Sequence, residues 1–250
     1  MKRRNGLVRI LHATWSAFAA LLVSGCALAE DRAPDYRYRL TVEVETPEGM
    51  KSASSVIQVE QALGGAAEAG GLAGGQIYYR VRGEAVAVDM PGGKTLFALL
   101  RSDNDIEWSA HVMQGIAPKI AGEPWDEVFD NVLLIKGKVE VPRMWPANAT
   151  LPRRSAYPMM VTFGDLADPT SVVEVDADDL AASFGDGVKL KRITVQLTDH
   201  PVTTGIEKRL GWLPNYYDKM LDGRTINTIE AENRLANDLT QGDFSKGLAQ

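Results

Sequence analysis

The chain has 250 residues, 27 Lys and Arg against 33 Asp and Glu, a formal charge of −6 and a single cysteine. That length allows one large domain or two small ones, and the apolar and charged fractions are ordinary for a globular protein. The acidic balance argues against nucleic acid as a partner, which calls for a basic patch or stripe, and one thiol excludes an internal disulfide.

The first thirty residues carry an export signal. Lys2, Arg3, Arg4 and Arg9 form a basic end, and no acidic residue precedes Glu30. An apolar run follows from Ile10 to Val23, then the small residues Ser24, Gly25, Cys26 and Ala27. A basic region, a short apolar region and a small-residue exit describe a secretory signal peptide. Val23-Ser24-Gly25-Cys26 resembles the lipobox of bacterial lipoproteins. That resemblance implies cleavage before Cys26 and a diacylglycerol on its thiol. With Ala27 rather than aspartate next, it implies delivery to an outer membrane, facing the periplasm. Two other readings stay open. Ala27-Leu28-Ala29 fits ordinary signal peptidase cutting before Glu30, and residues 7–29 are nearly long enough to remain as an uncleaved span. Arg3-Arg4 is not followed by the rest of a twin-arginine signal.

Removal of residues 1–25 takes away Lys2, Arg3, Arg4 and Arg9. The 27 basic residues less these four leave 23 against 33 acidic ones, a formal charge of −10. An acidic domain is not drawn to anionic lipid, so membrane attachment falls to the lipid on Cys26 or to an uncleaved segment. Residues 26–35 read as a tether, 36–225 as one α+β domain and 226–250 as a polar C-terminal helix and tail. The expected fold class is α+β, mainly antiparallel β-sheet with short helices, preceded by the signal or anchor helix.

Tyr36, Tyr38, Leu40, Val42 and Val44 alternate with polar residues. Period two predicts a half-buried strand, and Pro47-Glu48-Gly49 turns it into a second run, so 36–61 reads as a hairpin. Residues 64–75 hold six glycines and read as a flexible loop, or as a mobile flap. Residues 77–90 read as another hairpin turning at Gly83-Glu84. Gly93-Lys94-Thr95 has the end of a phosphate loop, but Val88 stands where that motif requires glycine, so no nucleotide is expected. The run Leu96–Leu100 predicts a buried strand.

Ser102 to Asp105 offers cap chemistry for a helix containing Ile106, Trp108, Val112 and Met113 and stopped at Gly115. His111 lies in it. The other histidine beyond the signal is His200; neither has zinc spacing, and no metal or cofactor is expected. Pro124 begins a helical turn, and Val132–Val141 predicts a strand. Pro142 to Pro158 holds four prolines with Trp145, Arg143, Arg153 and Arg154. It reads as an ordered surface loop and as the candidate binding loop, because Trp and Arg are enriched at interfaces. Next come strands at 158–163 and 172–175, a helix from Asp176 through Phe184, and a strand at 188–198. That strand's apolar set slips by one residue, which predicts a bulge near Lys191-Arg192. The spacing of Asp176, Asp178 and Asp179 suits a helix start rather than a calcium loop. A short helix is expected within 201–214, ending at Gly211, and a thin-striped polar helix at 230–239.

The runs RLTVEVETPEG, YPMMVTFGDL and RITVQLTDHPVTTGIEKRLGWL resemble uncharacterised exported proteins of proteobacteria. The resemblance implies an exported domain and brings no activity and no functional residues. The leading expectation is a lipid-anchored envelope protein that acts as a binding or interaction module with an envelope partner. The rivals are an envelope hydrolase and a structural or assembly component. A hydrolase needs a nucleophile, a base and an orienting group in mutual reach, and neither G-x-S-x-G nor Ser-x-x-Lys is present.

Overall fold

A computed structural model describes residues 33–64, 75–148 and 151–247. The segment expected to be a signal peptide, Cys26 and most of the glycine-rich run lie outside the described residues. Mainly antiparallel sheet with a few short helices is the architecture observed. Among the described residues no helix is long and apolar enough to cross a membrane.

The central strand is β1 (Tyr36–Thr46), whose five alternating apolar side chains are all buried. It pairs antiparallel with β2 (Gly49–Gly64) on one edge and with β11 (Lys189–Leu197) on the other. β3 (Gln76–Glu84) continues from β2, so the glycine-rich run joins two paired strands, Gly64 opposite Gln76. The short strands β6 (Val139–Glu140) and β12 (Ser245–Lys246) complete a six-stranded sheet in the order β12-β3-β2-β1-β11-β6. Its β1–β11 register shifts between Glu43 and Val44, which leaves Lys191 without an opposite residue. The bulge expected from the slipped pattern is therefore present.

A second sheet has the order β10-β9-β5-β4, built from β4 (Val86–Asp89), β5 (Thr95–Ala98), β9 (Met160–Phe163) and β10 (Val172–Glu174). Every residue of β5 and β9 is buried. Leu96 and Ala98 face a core shared with Tyr38, Leu40 and Val42, whereas Phe97 and Leu99 join Ile206, Leu210, Leu221 and Phe244 in a second core. A sheet covered on both faces reads as a continuous apolar run.

Several expected elements are different in place. β3 and β4 are not a hairpin; they belong to separate sheets, and β4 pairs with β5. Gly83 makes the passage. It has φ +145, and a Cβ there would lie 3.1 Å from the Ile57 Cα, so only glycine fits the crossing. Residues 132–141 are not one strand. A 3₁₀ turn occupies Asp130–Leu134, and only Val139–Glu140 pairs, because Leu133 and Leu134 stay exposed rather than facing a sheet. Asp179, not Asp176, caps α2 (Leu180–Phe184), accepting from the Ala182 amide at 3.3 Å. The helix expected within 201–214 is two 3₁₀ turns, Ile206–Lys208 and Leu213–Tyr216.

At the C-terminus, α3 (Arg234–Asp238) is followed by α4 (Gln241–Phe244). Ala236, Leu239 and Phe244 are fully buried, so this segment packs into the second core instead of standing off as a tail. Its thin apolar stripe misled because Phe244 lies beyond the helix that carries the stripe.

Candidate functional site

The site is built on α1 (Trp108–Ile116). Two tyrosines of β1 seat this helix: Tyr38 donates to the Ser109 carbonyl at 2.7 Å and Tyr36 to the Ala110 carbonyl at 3.3 Å. Burial pushes both phenols far above their ordinary range, so they remain donors. The helix starts later than its cap signals suggest. Ser102 and Asp105 form a bridge of their own, and Asp105 turns the chain by accepting from the Glu107 amide at 3.0 Å. Gly115 lies inside the helix; Ala117 is its C-cap.

The proline-rich stretch contains a small ribbon, β7 (Met144–Trp145) paired with β8 (Arg154–Ser155). Trp145 lies opposite Arg154 in that ribbon. The ribbon is tied to α1 at two points. The indole N–H of buried Trp108 donates to the Ala156 carbonyl at 2.9 Å. The Trp145 ring lies so close over α1 that a Cβ on Gly115 would sit 2.8 Å from it.

Between helix and ribbon lies a cleft of about 340 Å³, lined by Asp105, Trp108, His111, Lys119, Trp145 and Arg154, among others. His111 Nδ1 meets Asp105 Oδ2 at 2.8 Å. The Asp105 hydrogen bond lifts the His111 pKa against the opposing effect of burial. Burial would raise Asp105, but the bond and charge of His111, with the Glu107 amide and the Arg154 charge, together hold the carboxyl below its usual value. The two shifts agree on an ion-paired arrangement. The Tyr79 ring meets the imidazole edge-on at 5.1 Å, and burial first, then Glu107 and Asp105, push the Tyr79 phenol up to about 12.

An aspartate on Nδ1 is the orientation that a catalytic triad uses, with a nucleophile on the other nitrogen. Here Nε2 has Glu107 Oε2 at 4.0 Å. The two cleft serines are engaged elsewhere. Ser102 Oγ donates to Asn104 Oδ1 at 3.3 Å, and Ser155 Oγ accepts from Arg143 Nη1 at 3.0 Å and the Tyr157 amide at 3.2 Å. The pair therefore has an orienting group and a base but no hydroxyl poised for attack.

The four residues of the candidate loop separate. Trp145 and Arg154 line the cleft together. Arg143 does not: Asp178 holds its guanidinium at two points, 2.8 and 2.7 Å, and it borders a second cleft of about 400 Å³ with Tyr157 and Glu174. Arg153 is exposed and outside the cleft lining. Cys26 lies outside the described residues. His200 is exposed, with its carbonyl accepting from Arg37 at 3.0 Å. Sequence reasoning missed Asp105 and Lys119. Asp105 precedes the helix and reaches His111 by a turn, so no helical spacing announces the pair. Among the described residues, no group of three His, Cys, Asp or Glu converges as a metal site.

Arg154 differs from Arg143 in its hydrogen bonding. Its Nη1 is buried and has no hydrogen-bond partner among the described residues. It acts on Asp105 only as a nearby charge.

Gly115→Ala tests the Trp145 seat. A helical Gly→Ala change ordinarily stabilises by about 0.5–1 kcal/mol. Here the new methyl would displace the indole, so the expected result is no gain in stability together with a changed Trp145 environment, read by near-ultraviolet circular dichroism. A full gain with an unchanged spectrum would mean that the ring is not held there.

No protein-family model matches the chain, and no curated protein or solved structure matches it either.

Proposed function

We propose that this is a lipid-anchored cell-envelope protein, attached through Cys26, whose folded domain binds a small ligand in the cleft between α1 and the β7–β8 ribbon. The observation that carries the binding reading is the half-buried Arg154, whose Nη1 has no hydrogen-bond partner among the described residues, beside Trp145 in a concave site. Ligand sites of this kind combine an apolar wall with a few polar groups. The lipobox-like Val23-Ser24-Gly25-Cys26 supports the anchor. From Cys26 to Ala33 the chain can extend at most about 25 Å, which would hold the domain close to the membrane surface.

Fractionation and intact-mass measurement of the wild type beside Cys26→Ala test the anchor. The expected outcome is a membrane-bound wild type with acyl mass on Cys26, and a variant that loses both. A soluble mature chain beginning at Glu30, or one that retains residues 1–29, would sink the lipoprotein reading.

An envelope hydrolase is the second reading, and the 2.8 Å His111–Asp105 contact is what favours it. Covalent labelling by a serine-directed fluorophosphonate, lost in His111→Ala, would turn the argument towards it.

A further inference from the structure

We infer that the cleft selects small anions, bearing a carboxylate or phosphate group next to a flat ring or sugar face. The inference rests on the binding reading above and names the ligand chemistry of that site.

The charge count inside the cleft points this way. Its lining holds two cations, Arg154 and Lys119, and one carboxylate, Asp105, already engaged by His111 at 2.8 Å. Lys119 Nζ donates to the Gln114 carbonyl at 2.7 Å, a contact that fixes its position but does not neutralise it. Arg154 is half-buried and has lost part of its hydration without gaining an acceptor at Nη1. Arg143 gives the contrast. It belongs to the same ribbon region and is likewise half-buried, yet Asp178 neutralises it with two hydrogen bonds. The fold thus completes one arginine and leaves the other, at the cleft, with a buried Nη1 that has no acceptor among the described residues. A planar guanidinium matches a carboxylate or phosphate in two-point geometry, and such charge-assisted bonds are the strong ones.

Trp145 supplies the second element of recognition. With Gly115 beneath it and Arg154 opposite it in the ribbon, the indole is held in place at the cleft wall. A fixed aromatic wall favours an occupant with a flat or apolar face of its own. The volume, about 340 Å³, is at the lower end of ligand sites, so the occupant is small.

The test is a titration of the full-length protein, extracted in detergent, with benzoate, phenyl phosphate and the neutral benzamide, followed by ligand-observed NMR. Both or either of the anions should bind at least about 10-fold more tightly than benzamide. Benzoate ahead of phenyl phosphate would assign the natural ligand to carboxylates, and the reverse order to phosphates. Arg154→Gln should abolish the preference, and Trp145→Ala should weaken all three probes. Arg153→Gln, on the exposed neighbour, should change nothing. Arg154→Lys keeps a cation without the planar fork and should retain a weakened preference. Equal binding of benzamide, binding of none of the probes, an unchanged preference in Arg154→Gln, or complete loss in Arg154→Lys would each overturn the inference. Failure of the anchor reading is seen separately, in fractionation, and leaves this titration standing.

Discussion

Phe244→Ala is expected to destabilise the protein by about 3–5 kcal/mol, the usual range for removing a buried ring. Phe244 is fully buried and meets Phe97 at 6.0 Å, Phe163 at 5.8 Å and Trp212 at 5.9 Å between ring centroids. The helix that presents it is held at both ends. Thr240 and Asp243 form a capping box, with the Asp243 carboxylate accepting from the Thr240 amide at 2.7 Å. The Asp243 carbonyl accepts from the Leu100 amide and the Phe244 carbonyl from the Ala85 amide, at 2.9 and 2.8 Å. The C-terminal residues therefore form one face of the second core. Urea unfolding followed by circular dichroism measures the effect. A loss below about 1 kcal/mol would mean that the C-terminal segment unfolds separately from the sheets.

Trp108→Ala should cost a similar amount, about 3–5 kcal/mol, for a different reason. Trp108 is the largest fully enclosed side chain, and its N–H completes the Ala156 carbonyl next to Arg154 and Ser155. Truncation removes apolar packing and leaves a buried carbonyl without its donor, which adds about 1–3 kcal/mol where no water enters. The loss falls at the joint between α1 and the ribbon, so the cleft should loosen along with the fold. Trp108→Phe separates the two contributions, because it keeps most of the ring and loses only the hydrogen bond. It is expected to cost roughly 1–3 kcal/mol by the same reasoning. A Trp108→Ala variant with unchanged unfolding would contradict this account of how helix and ribbon are joined.

The sheet cores and the cleft differ in legibility. The core of the first sheet can be read from Tyr36 to Val44, because side chains in a strand alternate between faces and the alternation is written directly in the sequence. The same logic reveals the Lys191 bulge as a slip in pattern. Leu96–Leu100 is legible as a buried strand, although its two cores are not: a continuous apolar run says that both faces are covered and does not say by what. The second cover, residues 206–244, arrives from more than a hundred residues away. For the cleft, Trp145 and Arg154 are legible only as two members of an interface-like loop that also holds Arg143 and Arg153. Their separation from Arg143 and Arg153 is not, since it depends on Asp178 and on the direction of one short ribbon. His111 reads as a lone histidine until the turn at Asp105 brings a carboxylate to 2.8 Å.

The sequence by itself determined the acidic charge of the chain, the principal strands and the loop that brings Trp145 and Arg154 to the cleft. These are local or additive properties, set by side-chain period, composition and short motifs. Only the tertiary structure decided which sheet β4 joins, that residues 234–244 belong to the core, and that Asp178 pairs with Arg143 while Arg154 lines the cleft. Those outcomes depend on contacts between distant segments, where burial and the completion of polar groups select one pairing among many that local propensity allows.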